Sequence, residues 1–222
     1  MELPGWIHWL DSRFGHWSVP HLIRNLVWLN CLTFLLSLYN PSFTEMLQLN
    51  PDAIRQGEVW RMLTFLCVPG FGTGYMSILF FILAMRFVWL IGDGLEEAWG
   101  ALAVNGYLLL SVAVLTLTGL LLYSVSLPNI FIFSSLLFAF ASLYPEFPIT
   151  LFPFPITVPI RYVAYFSGAY LALLIFISPV MAPVILASLS GYFIYLGPAT
   201  FQACRFRYQN YQRRKKFERD RL

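Results

Sequence analysis

Long apolar runs, separated by shorter polar or proline-rich stretches, divide the chain into six segments of membrane-spanning length: Leu22–Tyr39, Gly74–Ile91, Ala101–Tyr123, Pro128–Tyr144, Ile160–Ser178 and about Val180–Gly197. Lipid offers a backbone no hydrogen-bonding partner, so each run is expected to be a helix. Several lie near the short end of the roughly 17–25 residues that cross a bilayer. The stretch PEFPITLFPFPITVP between the fourth and fifth runs is apolar but broken by prolines. It is expected to lie extended against the interface, with an added half-helix as the alternative. Pro198 is expected to kink or end the sixth helix.

Composition agrees with this pattern. Of the 222 residues, 59% are hydrophobic and 11% charged, whereas a soluble domain carries roughly 25% charged residues. An all-α integral membrane protein follows, with three parts: an interfacial N-terminal segment (1–21), a six-helix membrane domain (22–203) and a basic tail (204–222). The opening MELPGWIHWLDSRFGHW has no basic start and no long apolar core, so it does not read as a cleavable signal peptide. Its tryptophans suit the membrane interface.

Charge sets the expected orientation. The tail holds eight of the fourteen basic residues, which places it in the cytoplasm by the positive-inside rule. Six spans return the N-terminus to the same side, with Arg86 and Arg161 at cytoplasmic helix ends and Arg55 and Arg61 in the far-side first loop. The tail reads as a topology anchor that attracts anionic lipid, and no nucleic-acid partner is expected. Cys31, Cys67 and Cys204 are scattered, and no cofactor or metal is expected.

Three short stretches carry more specific information. GEVWRMLTFLCVPGF, from Gly57, is too interrupted to span; Trp60 beside Arg61 forms an interfacial pair, the guanidinium reaching a phosphate or carbonyl. GDGLEEAWG, from Gly92, forms a charged turn after the second span. There Glu96 and Trp99 stand one helical turn apart, and the carboxylate is suited to capping a helix or pairing with Arg86 or another cation. In PVILASLSGYFIYLG, Ala187, Ser188 and Gly191 share one face, which permits close helix packing.

Gly57-x-x-Trp60-Arg61-x-x-Thr64, then a span, then Gly92-x-x-Leu95-Glu96-x-x-Trp99-Gly100, resembles the rhomboid superfamily, including its derlin-like branch. The resemblance covers roughly Leu22–Gly197. It implies a six-helix bundle whose first loop is partly embedded in the membrane. Active rhomboids are intramembrane serine proteases, with a serine in a Gly-x-Ser-Gly turn, a histidine base in the sixth helix and oxyanion donors on the second. Aligning FAFASLYP on the family pattern puts that turn over Pro128, Asn129, Ile130 and Phe131, so the nucleophile position is Ile130. The oxyanion positions fall at about Phe80 and Ala84, and the histidine position at Ser188. No histidine or lysine occurs between Leu22 and Cys204, so neither Ser134 nor Ser135 has an evident base.

These positions imply a rhomboid-like pseudoprotease that binds transmembrane segments of client or partner proteins without cleaving them, through a surface between the second and fifth spans. A structural or assembly subunit of a larger membrane complex is the alternative. An intramembrane serine protease with an unconventional site is a third reading, and a transporter using Arg86 a fourth. The expected location is a bacterial plasma membrane or an internal membrane, with both termini cytoplasmic.

Overall fold

The computed structural model describes Arg13 and residues 18–70, 74–123, 126–127, 129–151 and 156–197. Most of segment 1–21, the whole tail 204–222, Pro128 and Cys204 therefore lie outside the described residues. The described chain is mostly helical. It begins with α1 (Leu22–Tyr39), followed by three short helices, α2 (Ser42–Leu47), α3 (Pro51–Arg55) and α4 (Arg61–Thr64). A 3₁₀ turn over Phe65–Cys67 ends this first loop. Then come α5 (Tyr75–Trp99), α6 (Ala101–Leu122) and α7 (Ile130–Leu143). A hairpin of β1 (Pro148–Leu151) and β2 (Ile156–Pro159) leads to α8 (Ile160–Ile177), and the chain closes with α9 (Ala182–Ser188) and α10 (Ser190–Gly197).

Among the described residues, four helices are long and apolar enough to cross a membrane: α1, α5, α6 and α8. A bent pair, Pro179–Ser188 with Ser190–Gly197, makes a fifth if counted as one span. These helices support an integral membrane protein. The fourth expected span is α7, which has 14 residues, and at 1.5 Å per residue it covers roughly 21 Å, short of the roughly 30 Å hydrocarbon core. Its apolar run is nonetheless the most enclosed. Phe131, Ile132, Ser135, Leu136, Ala139 and Phe140 are all buried among its neighbours. Apolarity here serves the protein core as well as lipid, which is why the run looked like an ordinary span.

Two further boundaries differ from the sequence expectation. The stretch GDGLEEAWG is not a turn, because α5 continues through it to Trp99. Gly92 sits inside this helix against Ile23 of α1, where an added Cβ would come within 2.6 Å of that side chain. The turn comes instead at Gly100, whose φ of 84° suits glycine. The final span is bent by 51° between Ser188 and Ser190 rather than continuous. A Ser/Gly-rich break explains the bend, since Ser188 Oγ donates back to Val184 O within α9.

The proline-broken link is extended, as its sequence indicated, but its two halves also pair. Pro148 faces Pro159 and Thr150 faces Thr157 in an antiparallel register. The prolines occupy the open end of the hairpin, where a missing N–H costs no interior ladder bond.

Contacts between elements define two ends of the bundle. At one end Leu49 of the first loop bridges to Leu127, and the Arg55 guanidinium donates to Leu120 O of α6. Tyr123 Oη donates to Val180 O at the same end. At the other end Arg24 pairs with Asp93 at 2.9 Å, Asn105 donates to Val19 O at 3.1 Å, and Arg161 pairs with Glu146. Between them α5 and α8 each pack on α7 rather than on each other.

Candidate functional site

Short loop helices bring the first candidate residues into place. Asn50 caps α3 by accepting from Asp52 N and Ala53 N, with Pro51 in the first turn. Arg61, nearly enclosed, donates to Glu45 O at 2.6 Å and Gln48 O at 3.3 Å and pairs with Glu58. The guanidinium thus reaches carbonyls, one of the two partners its sequence position suggested, and it fastens α4 to the end of α2. Trp60 beside it is 54% exposed.

A side chain not singled out from the sequence ties this loop to the bundle. Asn129, buried at the start of α7, donates to Phe65 O at 3.0 Å and to Val68 O at 2.9 Å. Buried Asn30 of α1 donates to Leu66 O at 2.9 Å from the other side. Two asparagines, one midway along an apolar segment and one at the start of another, were the available signal, because an amide in such a place needs a partner. Replacing Asn129 by leucine removes its bonds to both loop carbonyls, of which Phe65 O keeps Val68 N as a donor, at a cost of about 1–3 kcal/mol. The expected result is a lower unfolding midpoint in mixed micelles together with faster proteolysis within residues 56–70, which are protected in the wild type.

The positions equated with protease machinery separate into three places. Ala84 and Ile130 line one cavity of about 190 Å³, together with Asn30, Asn129 and Ser134. Among the described residues, none that lines it carries an ionisable side chain. Ser134 Oγ donates to Ile130 O at 3.1 Å within its own helix. Ser135 points the other way, its hydroxyl beside Tyr107 Oη and its carbonyl accepting from that phenol at 3.0 Å. Phe80, 52% exposed, lies on the lipid side of α5 and lines a different cavity.

Ser188 is in a third location and does not line the first cavity. It is fully buried and bonded to Val184 O. With buried Ala187 and Gly191 it forms the small-residue face read from the sequence, and that face packs on α6 across the bend. A Cβ at Gly191 would collide with Ser111 Oγ and stand 3.1 Å from Tyr107 O. Above this contact Trp99, Tyr107 and Tyr195 form an aromatic cluster with ring centroids 5.3–6.0 Å apart.

Glu96 performs the first of its two suggested roles. Both carboxylate oxygens accept from His21 N at 3.0 Å, at the start of α1, and His21 Nδ1 is 3.3 Å away. His21 adopts a left-handed conformation with φ of 54°, a strained state for such a residue, which the carboxylate helps to hold. Asp93 pairs with Arg24 and accepts from Trp89 Nε1 at 2.9 Å. Arg86 takes no part in this network.

Arg86 occupies an unexpected position. Because α5 continues to Trp99, the arginine lies near mid-helix, roughly 16 Å from Tyr75 and roughly 20 Å from Trp99 at 1.5 Å per residue. It is exposed and lines a cavity of about 700 Å³ between α5, the hairpin and the first turns of α8. Leu83, Phe87, Ile149 and Val163 make up much of the wall. The Arg24–Asp93 pair stands seven residues further along α5, roughly 10 Å by helical rise. From α8, Val163 lines this cavity; further along the same helix Tyr165, Phe166, Tyr170 and Phe176 are exposed. No protein-family model, characterised protein or solved structure matches the chain.

Proposed function

We propose that the protein is a rhomboid-like pseudoprotease with a six-pass topology that binds transmembrane segments of other membrane proteins and does not cut them. The groove between α5 and α8 is the binding surface, and α7 completes the sixth crossing with help from the first loop and the hairpin at its ends. The observation that carries this reading is the pairing of an open apolar groove with a neighbouring cavity that has no acid or base. Ala84 and Phe87 of α5 line both. Ile130 stands in that cavity where the resembled proteases hold their serine, and a hydroxyl without a positioned base is a poor nucleophile at neutral pH. Apolar side chains with few polar groups are the usual lining of a ligand site.

Photocrosslinkers placed at Leu83 and Val163 in the full-length protein test the reading, with Leu117 on the exposed face of α6 as control. Intact membrane proteins joined through their transmembrane segments at the two groove positions, and not at Leu117, are expected. Captured fragments ending inside a transmembrane segment, or serine-directed fluorophosphonate labelling lost on Ser134→Ala or Ser135→Ala, overturn it.

A further inference from the structure

We infer that the polar end of the groove between α5 and α8 holds one zwitterionic phospholipid, its phosphate on Arg86 and its ammonium in the adjoining cavity beside Glu97. This goes beyond the proposed function and does not depend on client binding. Two cavities meet here. The larger, of about 700 Å³, has the exposed Arg86 and the hydroxyl of Thr150 on an otherwise apolar wall. The smaller, of about 270 Å³, is lined by Asp93, Glu97, Phe140, Tyr144 and Phe147 among others. Leu90 and Phe147 line both, so the two adjoin. In the smaller one the rings of Tyr144 and Phe147 have centroids 5.1 and 5.5 Å from that of Phe140. Aromatic rings grouped beside carboxylates are surroundings that attract an ammonium group.

The order of charges along α5 decides between occupants. Arg24, Arg55, Arg61 and Arg161 each have a carboxylate partner, whereas Arg86 has none among the described residues. Asp93 is already engaged by Arg24 and Trp89, while Glu97 is exposed and has no ion pair among the described residues. Arg86 and Glu97 are eleven residues apart, close to three helical turns. They therefore share one face of α5, roughly 16 Å apart by helical rise. Phe80 and Leu83, on the far side of Arg86 from Glu97, line the larger cavity. The sequence of surfaces is thus apolar, cationic and then acidic, matching the acyl chains, phosphate and ammonium of a zwitterionic phospholipid. Arg24–Asp93, His21–Glu96 and Arg161–Glu146 collect at the same end. Ionisable side chains avoid the hydrocarbon, so this end marks headgroup depth, and a long arginine side chain two turns inside it can snorkel toward phosphates. The guanidinium suits a phosphate bidentately. A carboxylate from another protein would answer Arg86 alone and bring one more negative charge toward Asp93 and Glu97. An anionic headgroup would likewise leave the aromatic cavity without a cation.

The experiment mixes full-length protein in mild detergent with equal amounts of dioleoyl-phosphatidylethanolamine and dioleoyl-phosphatidylglycerol, and counts retained lipid by native mass spectrometry. The wild type is expected to keep one phosphatidylethanolamine per chain, preferred at least about threefold, in line with the modest strength of an exposed cation–π contact. Arg86→Gln is expected to abolish one-to-one retention of both lipids. Glu97→Lys is expected to turn the preference toward phosphatidylglycerol, a gain that a misfolded variant cannot produce. Equal or greater retention of phosphatidylglycerol by the wild type overturns the inference, because the site then reads an anion alone. A phosphatidylethanolamine preference unchanged in both variants overturns it by placing the lipid elsewhere on the protein. Retention of neither lipid by the wild type also overturns it. Client capture at Leu83 and Val163 is judged separately, since no client enters this measurement.

Discussion

Gly191→Val is expected to give a protein that inserts but does not hold its final helices against α6. The new side chain would meet Ser111 Oγ and the backbone oxygen of Tyr107. A flexible tip can rotate away, but a carbonyl inside α6 cannot move without shifting the helix. Over-packing of this kind costs typically 1–3 kcal/mol and occasionally more, and here the strain falls next to a 51° bend. An unfolding midpoint in dodecylmaltoside/SDS mixtures well below that of wild type is expected. Gly191→Ala should show the same direction with a smaller shift. A midpoint for Gly191→Val equal to wild type would mean that α10 does not approach α6 as described.

Tyr107→Ala is expected to be more damaging still, by about 3–5 kcal/mol, the range for removing a large buried aromatic ring. Tyr107 is fully buried and sits where α6, α7 and α10 meet. Its ring packs on Trp99 and Tyr195, and its hydroxyl donates to Ser135 O. Tyr107→Phe separates these contributions, since it keeps the ring and removes only the hydrogen bond, worth about 0.5–1.5 kcal/mol net. Thermal denaturation in detergent, followed by size-exclusion recovery, should rank wild type above Tyr107→Phe and Tyr107→Phe well above Tyr107→Ala. Near-equal loss in both variants would place the importance in the hydroxyl rather than the packing.

Much of this arrangement was legible in the sequence because lipid solvation imposes a simple rule. An apolar run of sufficient length is helical; α1, α6 and α8 lie within the expected stretches, and α5 covers its stretch from Tyr75 and runs on past it to Trp99. The small face of Ala187, Ser188 and Gly191 was legible for a related reason, since close helix packing requires small residues at that spacing. The misread boundaries share one cause: residues were judged by polarity without their partners. Asp93 and Glu96 looked like a helix end, yet Arg24 and His21 lie opposite them, so the helix continues. The longer helix also puts Arg86 eleven residues from Tyr75 and thirteen from Trp99. The pairing of β1 with β2 and the clasp of Asn129 on Phe65 and Val68 depend on contacts between distant segments, which local pattern does not specify. Of the candidate positions, Ala84 and Ile130 line one cavity that Phe80 and Ser188 do not line, a grouping that required the three-dimensional arrangement.

The shortness of α7 has a consequence for how the protein is made. Fourteen residues cannot on their own bridge the hydrocarbon layer, and both ends of the helix depend on other parts of the chain. Asn129 at one end needs the carbonyls of the first loop. At the other end Phe140 is met by Phe147, just ahead of the hairpin. The loop is synthesised before α7 and the hairpin after it. Biogenesis therefore has an order: the early helices and their loop form a receptacle, and α7 settles into it only after translation has passed the hairpin.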